Sequence, residues 1–153
     1  MMGLRRTIVS AVVGGLDGSG FRRVVERIHR HRLTILCYHS IVDGPIPAPL
    51  RQGGLHLDRS VFSGQLEYLV RSFEVLPLDQ ALADLGNREA RRSRPRVAIT
   101  FDDGYANNLE LAAPLLAQAG LPATIFIVPG LISSDRLFWW DELPLLVERL
   151  GRR

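Results

Sequence analysis

A chain of 153 residues that is 46% hydrophobic and 23% charged can bury one real core, which argues against a disordered polypeptide. No apolar run approaches the roughly 18 residues of a membrane span, and the single cysteine excludes an intrachain disulfide framework. The net charge of +3 arises from nineteen basic residues, all of them arginine. The absence of lysine reads as codon bias of a GC-rich genome rather than as function. Arginines cluster at 22–32 and 88–96, and such clusters can contact phosphate or an anionic membrane surface. No aromatic residues interleave with them for base stacking, so solvated helix faces and a loop are the preferred reading, and no nucleic-acid partner is expected.

At the N-terminus, Arg5 and Arg6 precede a short apolar run at 8–16, the outline of a signal peptide. Gly14 and Gly15 interrupt that run and no Ala-x-Ala site follows. A short helix lying on the protein body or on a membrane surface is preferred, and a cytoplasmic or membrane-associated location over a secreted one. Residues 21–32 read as an arginine-rich amphipathic helix, with Phe21, Val24, Val25 and Ile28 at helical spacing. A helical extension over 1–32 therefore precedes the main domain, 33–153.

Thr34 to Tyr38 has strand character and closes on His39, with Cys37 expected as a buried structural thiol. Prolines and glycines make 43–54 a loop. Asp58 or Ser60 can cap a helix through Phe73 whose apolar face is Phe62, Leu66, Leu69 and Val70. A short strand at 74–76, a short helix at 78–85 and a polar loop at 86–95 follow. Residues 97–101 and 123–128 are continuous apolar runs, as strands covered on both faces show. Between them, 111–119 is helical and ends at Gly120. This strand-helix-strand order makes the two strands parallel neighbours. A last helix at 141–150 carries the stripe Leu143, Leu146, Val147 and Leu150.

In parallel α/β folds, chemistry sits at the carboxyl ends of the strands. Asp102 and Asp103 lie at that end of their strand, and His39 at the matching end of the first. Adjacent carboxylates near a core repel each other and need a partner, which a divalent cation supplies; an exposed Asp-Asp-Gly turn is the bland alternative. Both can enter one site only if the strand has already turned, and Gly104 makes that bend plausible. His29 and His31, two apart on a helix, do not share a face. His56 beside a glycine-rich loop carries little information. Trp139 and Trp140 suit core packing better than sugar stacking.

Thr100-Phe101-Asp102-Asp103-Gly104-Tyr105 and Leu121-Pro122-Ala123-Thr124-Ile125-Phe126 resemble the polysaccharide deacetylase family, also called the NodB-homology domain. Leu36-Cys37-Tyr38-His39-Ser40-Ile41 and Phe138-Trp139-Trp140-Asp141 resemble segments of one branch of it, so that the likeness covers roughly 33–143. The resemblance implies an α/β fold, a partial, distorted (β/α) barrel with parallel strands. It implies a metal-dependent hydrolase that removes N-acetyl groups from the amino sugars of a polysaccharide substrate. Asp102 is similar to the family's general base and Asp103 to its metal-binding aspartate, on zinc or another divalent ion. The place of His39 at a strand end suggests contact with substrate or the rim of the site, with a histidine hydrogen-bonded to a loop as the alternative.

The sequence departs from the family by lacking its His-[Ser/Thr]-x-x-x-His segment. A catalytic zinc takes three protein ligands, and about four strands are legible where a barrel needs about eight. The expectation is the N-terminal part of a deacetylase domain, with little or no catalysis by these residues alone. The alternative is a non-catalytic half-domain that binds glycan, membrane or a partner chain.

Overall fold

The computed structural model describes residues 33–86, 93–132, 134 and 136–151. The expected extension over 1–32, His29 and His31 included, and most of the arginine-rich loop lie outside the described residues. In chain order the elements are β1 (Leu33–Tyr38), β2 (Ser40–Val42), β3 (His56–Asp58), α1 (Arg59–Ser72), β4 (Glu74–Val75), α2 (Leu78–Ala83), β5 (Arg96–Phe101), α3 (Ala113–Ala119), β6 (Thr124–Ile125) and α4 (Trp139–Gly151). A 3₁₀ turn at Ala48–Gly53 interrupts the expected loop.

β5 is the axis of the molecule. It pairs in parallel with β1 along its whole length, from Leu33↔Arg96 to Tyr38↔Phe101. β4 and β6 share its other edge, β4 on Arg96 and Val97 and β6 on Thr100 and Phe101. All of β5 is buried, as its unbroken apolar run suggests. Arg96, expected among solvated arginines, opens this strand instead and is buried, its Nη1 3.7 Å from Asp84 Oδ2. β2 and β3 form a separate parallel pair, Ser40↔His56 through Val42↔Asp58.

One face of the sheet is covered by helices. Asp58 caps α1: its carboxylate accepts from the Ser60 amide at 2.8 Å and so satisfies an orphan donor of the first turn. Phe62, Leu66 and Leu69 are buried against Val97, Ile99 and Phe101. Val70, expected in that stripe, is exposed; eight residues from Phe62, it lies about 80° round the helix. Tyr38 meets Phe62 edge-on at 5.1 Å, and Phe62 meets Phe101 at 5.8 Å. α3 ends at Gly120, left-handed at φ 65. A π-helical turn, Asn108–Ala112, leads into it. Pro114 lacks an amide for the Glu110 carbonyl and its ring would crowd it, so the turn widens at that point.

Three further expectations change. Cys37 is exposed, not buried: Leu36 and Tyr38 pack on the core, so strand alternation turns Ile35 and Cys37 to the opposite face. The strand expected over 123–128 is only Thr124–Ile125, extended by one bond from the Phe126 amide to the Phe101 carbonyl at 2.8 Å. Its apolar side chains from Ile125 to Val128 are exposed, because among the described residues only β5 pairs with it. The barrel is likewise not formed: the two sheets are open, with no strand on the outer edges of β1 or β6 among the described residues. The stripe of α4 is also uncovered, its four residues 45% to 67% exposed. No described helix is long and apolar enough to cross a membrane.

Candidate active site

The carboxyl ends of β1 and β5 lie side by side. The last paired residues are Tyr38 and Phe101, and the Asp102 amide donates to the Tyr38 carbonyl at 2.8 Å. The strand then breaks sharply. Asp103 (φ 70) and Gly104 (φ 73) are both left-handed, and Asp103 is the one non-glycine residue with positive φ among those described. The bend expected at Gly104 thus begins at Asp103 itself, at a residue type that tolerates that conformation. A side chain at position 104 would meet Ile127 Cγ2 at 3.0 Å.

This turn brings Asp102, Asp103 and His39 together. His39 Nε2 lies 3.9 Å from Asp103 Oδ2, with both side chains partly buried. The Cys37 thiol donates to Asp102 Oδ2 at 3.2 Å. One donor atom each from Cys37, His39 and Asp102 falls within 4.8 Å of the others, a group that does not include Asp103. Burial pushes the Asp103 carboxyl above its ordinary range, opposed by His39 and reinforced by Asp102 and Asp141. Desolvation, then the hydrogen bond to Asp102, pushes the Cys37 thiol up.

His39 is held from behind. Asn108, buried in the π-helical turn, donates to the His39 carbonyl and accepts from the Ile41 amide at 3.3 Å. Asn107 donates to Ser40 Oγ at 2.8 Å. The segment after β1 is thereby fastened to the segment after the acid pair.

A second network fixes the turn from the other side. Tyr105 donates to Asp141 Oδ2 at 2.7 Å and accepts from Trp140 Nε1 at 2.9 Å, while His56 Nε2 lies 3.1 Å from Asp141 Oδ1. Phe138 stacks on Trp140 at 4.9 Å and leans on Tyr105 at 4.8 Å. Burial and the Asp141 carboxylate hold the Tyr105 hydroxyl far above its usual range. Trp140 packs as expected, whereas Trp139 is 68% exposed. His56, without a role in the sequence reading, pairs with a residue 85 positions away, a distance over which no local pattern carries a signal. A cavity of about 530 Å³ opens beside the network, with Asp103, Tyr105 and Asp141 as polar wall and Val128, Leu137 and Phe138 as apolar wall.

A zinc-type cation suits the donor group. Thiolate, imidazole and carboxylate are the ligands such ions take, and bonds of about 2.0–2.3 Å separate tetrahedral ligands by roughly 3.3–3.8 Å. A group gathered within 4.8 Å needs only small side-chain adjustments to close on an ion.

The model of the polysaccharide deacetylase family matches residues 89–151. YxkH of Bacillus subtilis (strain 168), which carries the name of a polysaccharide deacetylase, is 33% identical over 98 residues, 63% of this chain and 32% of YxkH. The chain thus spans about a third of that relative. Among solved structures, the fold is shared with the Streptococcus pyogenes deacetylase PplD, solved with acetate, at TM-score 0.55 and 22% identity over 75% of this chain and 52% of that one. It is also shared with IcaB from Ammonifex degensii, at TM-score 0.55 and 24% identity over 68% and 41% of the two chains. By these sequence matches the chain is similar to the polysaccharide deacetylases over part of its length.

Proposed function

We propose that the chain carries the reaction centre of a metal-dependent hydrolase that removes N-acetyl groups from the amino sugars of a polysaccharide. The observation that carries this reading is the placement of Asp102 and Asp103 on one sharply turned strand end, with His39 within reach of both. A bound divalent cation, zinc by the donor types, would acidify water and polarise the acetamide carbonyl. The carboxylates then divide the remaining work, one holding the cation and the other accepting a proton from water. His39 orients them and meets the substrate edge. The cavity beside Asp103 offers a mixed wall, apolar for a sugar face or acetyl methyl and polar for hydroxyls.

The test is acetate release from an N-acetylglucosamine oligosaccharide with added zinc, in the longest polypeptide that the gene encodes. Asp102→Asn and Asp103→Asn should each lower the rate by about 10²-fold or more, the contribution of a positioned acid or base. Full activity in both variants overturns the reading. A second reading, association without turnover, draws on the uncovered stripe of α4 and predicts partner binding with no acetate released under any metal.

A further inference from the structure

We propose that Asp141 is a positioning residue for the acid turn: it grips the Tyr105 hydroxyl and so fixes where Asp103 sits on the cavity wall. The inference deepens the hydrolase reading and rests on it for whatever concerns turnover. The head of α4 shows the device. Asp141 alone among the thirteen residues of that helix is buried, while the apolar stripe behind it is exposed. An amphipathic helix ordinarily docks by its apolar face, and a buried charged group with its partner adds little stability that packed apolar groups would not. Stability alone therefore does not account for a carboxylate at this point. Both of its oxygens are engaged, from different elements. Oδ1 lies 3.1 Å from Nε2 of His56, the first residue of β3, and Oδ2 accepts from the Tyr105 hydroxyl at 2.7 Å. Trp140 Nε1 donates to the same hydroxyl at 2.9 Å, and the His56 ring meets the Tyr105 ring edge-on at 5.9 Å.

The grip acts where the backbone is least constrained. Tyr105 directly follows two left-handed residues, Asp103 and Gly104. A glycine there leaves the chain free to swing, so the direction of Asp103 depends on what holds the next side chain. On the near side the Asp102 amide is tied to the Tyr38 carbonyl. The two left-handed residues are thus suspended between a sheet hydrogen bond and the Asp141 clamp. Asp103 and Asp141 line the same cavity, so a shift of the clamp is a shift of the site.

The test sets Asp141→Leu and Tyr105→Phe beside Leu69→Ala, a buried core variant on α1 that lowers stability without removing either hydrogen bond. Nitrogen-15 relaxation of the folded 153-residue chain reads the turn directly. The Gly104 amide should have an order parameter of about 0.85 in the parent and below about 0.6 in Asp141→Leu, with Tyr105→Phe between them. Asp141→Asn should restore most of that order, because its oxygen still accepts from Tyr105 and its nitrogen can donate to the other His56 tautomer. In the longest polypeptide that the gene encodes, kcat for acetate release should fall about 10-fold to 100-fold in Asp141→Leu with KM little changed, the scale of a slightly misplaced reacting group. Leu69→Ala should leave both readouts at the parent level. Should Asp141→Leu fail to fold, Tyr105→Phe decides. A Gly104 amide as ordered in the clamp variants as in the parent overturns the proposal. So does a kcat that follows stability alone, as low in Leu69→Ala as in the clamp variants. No acetate from the parent under any metal removes the hydrolase and leaves the clamp to be judged by the relaxation result.

Discussion

On one face of β1, Leu36 and Tyr38 pack into the cluster of Phe62 and Phe101; on the other, Ile35 and Cys37 are exposed and lead to His39. The packed face draws its stability from apolar burial and aromatic contact. The open face holds the polar groups that can meet an ion or substrate. A single strand thus separates the residues that keep the fold from those that can be spent on chemistry, and substitutions on its two sides should differ in kind.

The largest effect should come from the packed side. Phe62→Ala empties a fully buried site and should lower stability by about 3–5 kcal/mol, read as the urea midpoint. Tyr105→Phe comes next. It leaves a buried Asp141 oxygen without its donor and should cost about 1–3 kcal/mol at neutral pH. It should also flatten the alkaline limb of the stability curve. Burial raises Tyr38 and Tyr105 above the ordinary value of 10, so their contribution is complete below pH 10 and is lost as the pH climbs through the folded values. With no lysine in the chain, few other groups titrate there, and urea midpoints at pH 8 and pH 11 would reveal the difference between the two proteins.

Gly104→Ala should cost about 1–2 kcal/mol from the left-handed backbone, and more if Ile127 does not give way at 3.0 Å. Because it displaces the acid turn, metal affinity should fall with it, which calorimetry would check. The smallest effect belongs to the open face: Ile35→Thr should change stability by about 0.5 kcal/mol or less. A large loss there would mean that this face is covered in solution.

Much of this was legible before any coordinates. The β5 run, the acid pair at its end, the level placement of His39 and the Gly120 cap follow from apolar patterning, parallel topology and glycine's freedom at positive φ. Two of the errors share one cause. An unbroken apolar run states what surroundings a strand tolerates, and says nothing of what covers it. Residues 33–38 and 123–128 were therefore read as more enclosed than they are. β2 and β3, three residues each, owe their existence to each other, and His56 meets Asp141 only through the fold. Likewise Asn108 gains its place behind His39 from tertiary packing, with no motif to announce it.

The Asp102 amide is the final rung between the two longest strands, donating to Tyr38 at 2.8 Å. An amide at the last rung of a ladder trades its hydrogen for deuterium once that end frays, which costs less than parting the strands along their length. The acidic turn can therefore open ahead of the fold: mild denaturant should release this amide while the buried centre of β5 stays protected.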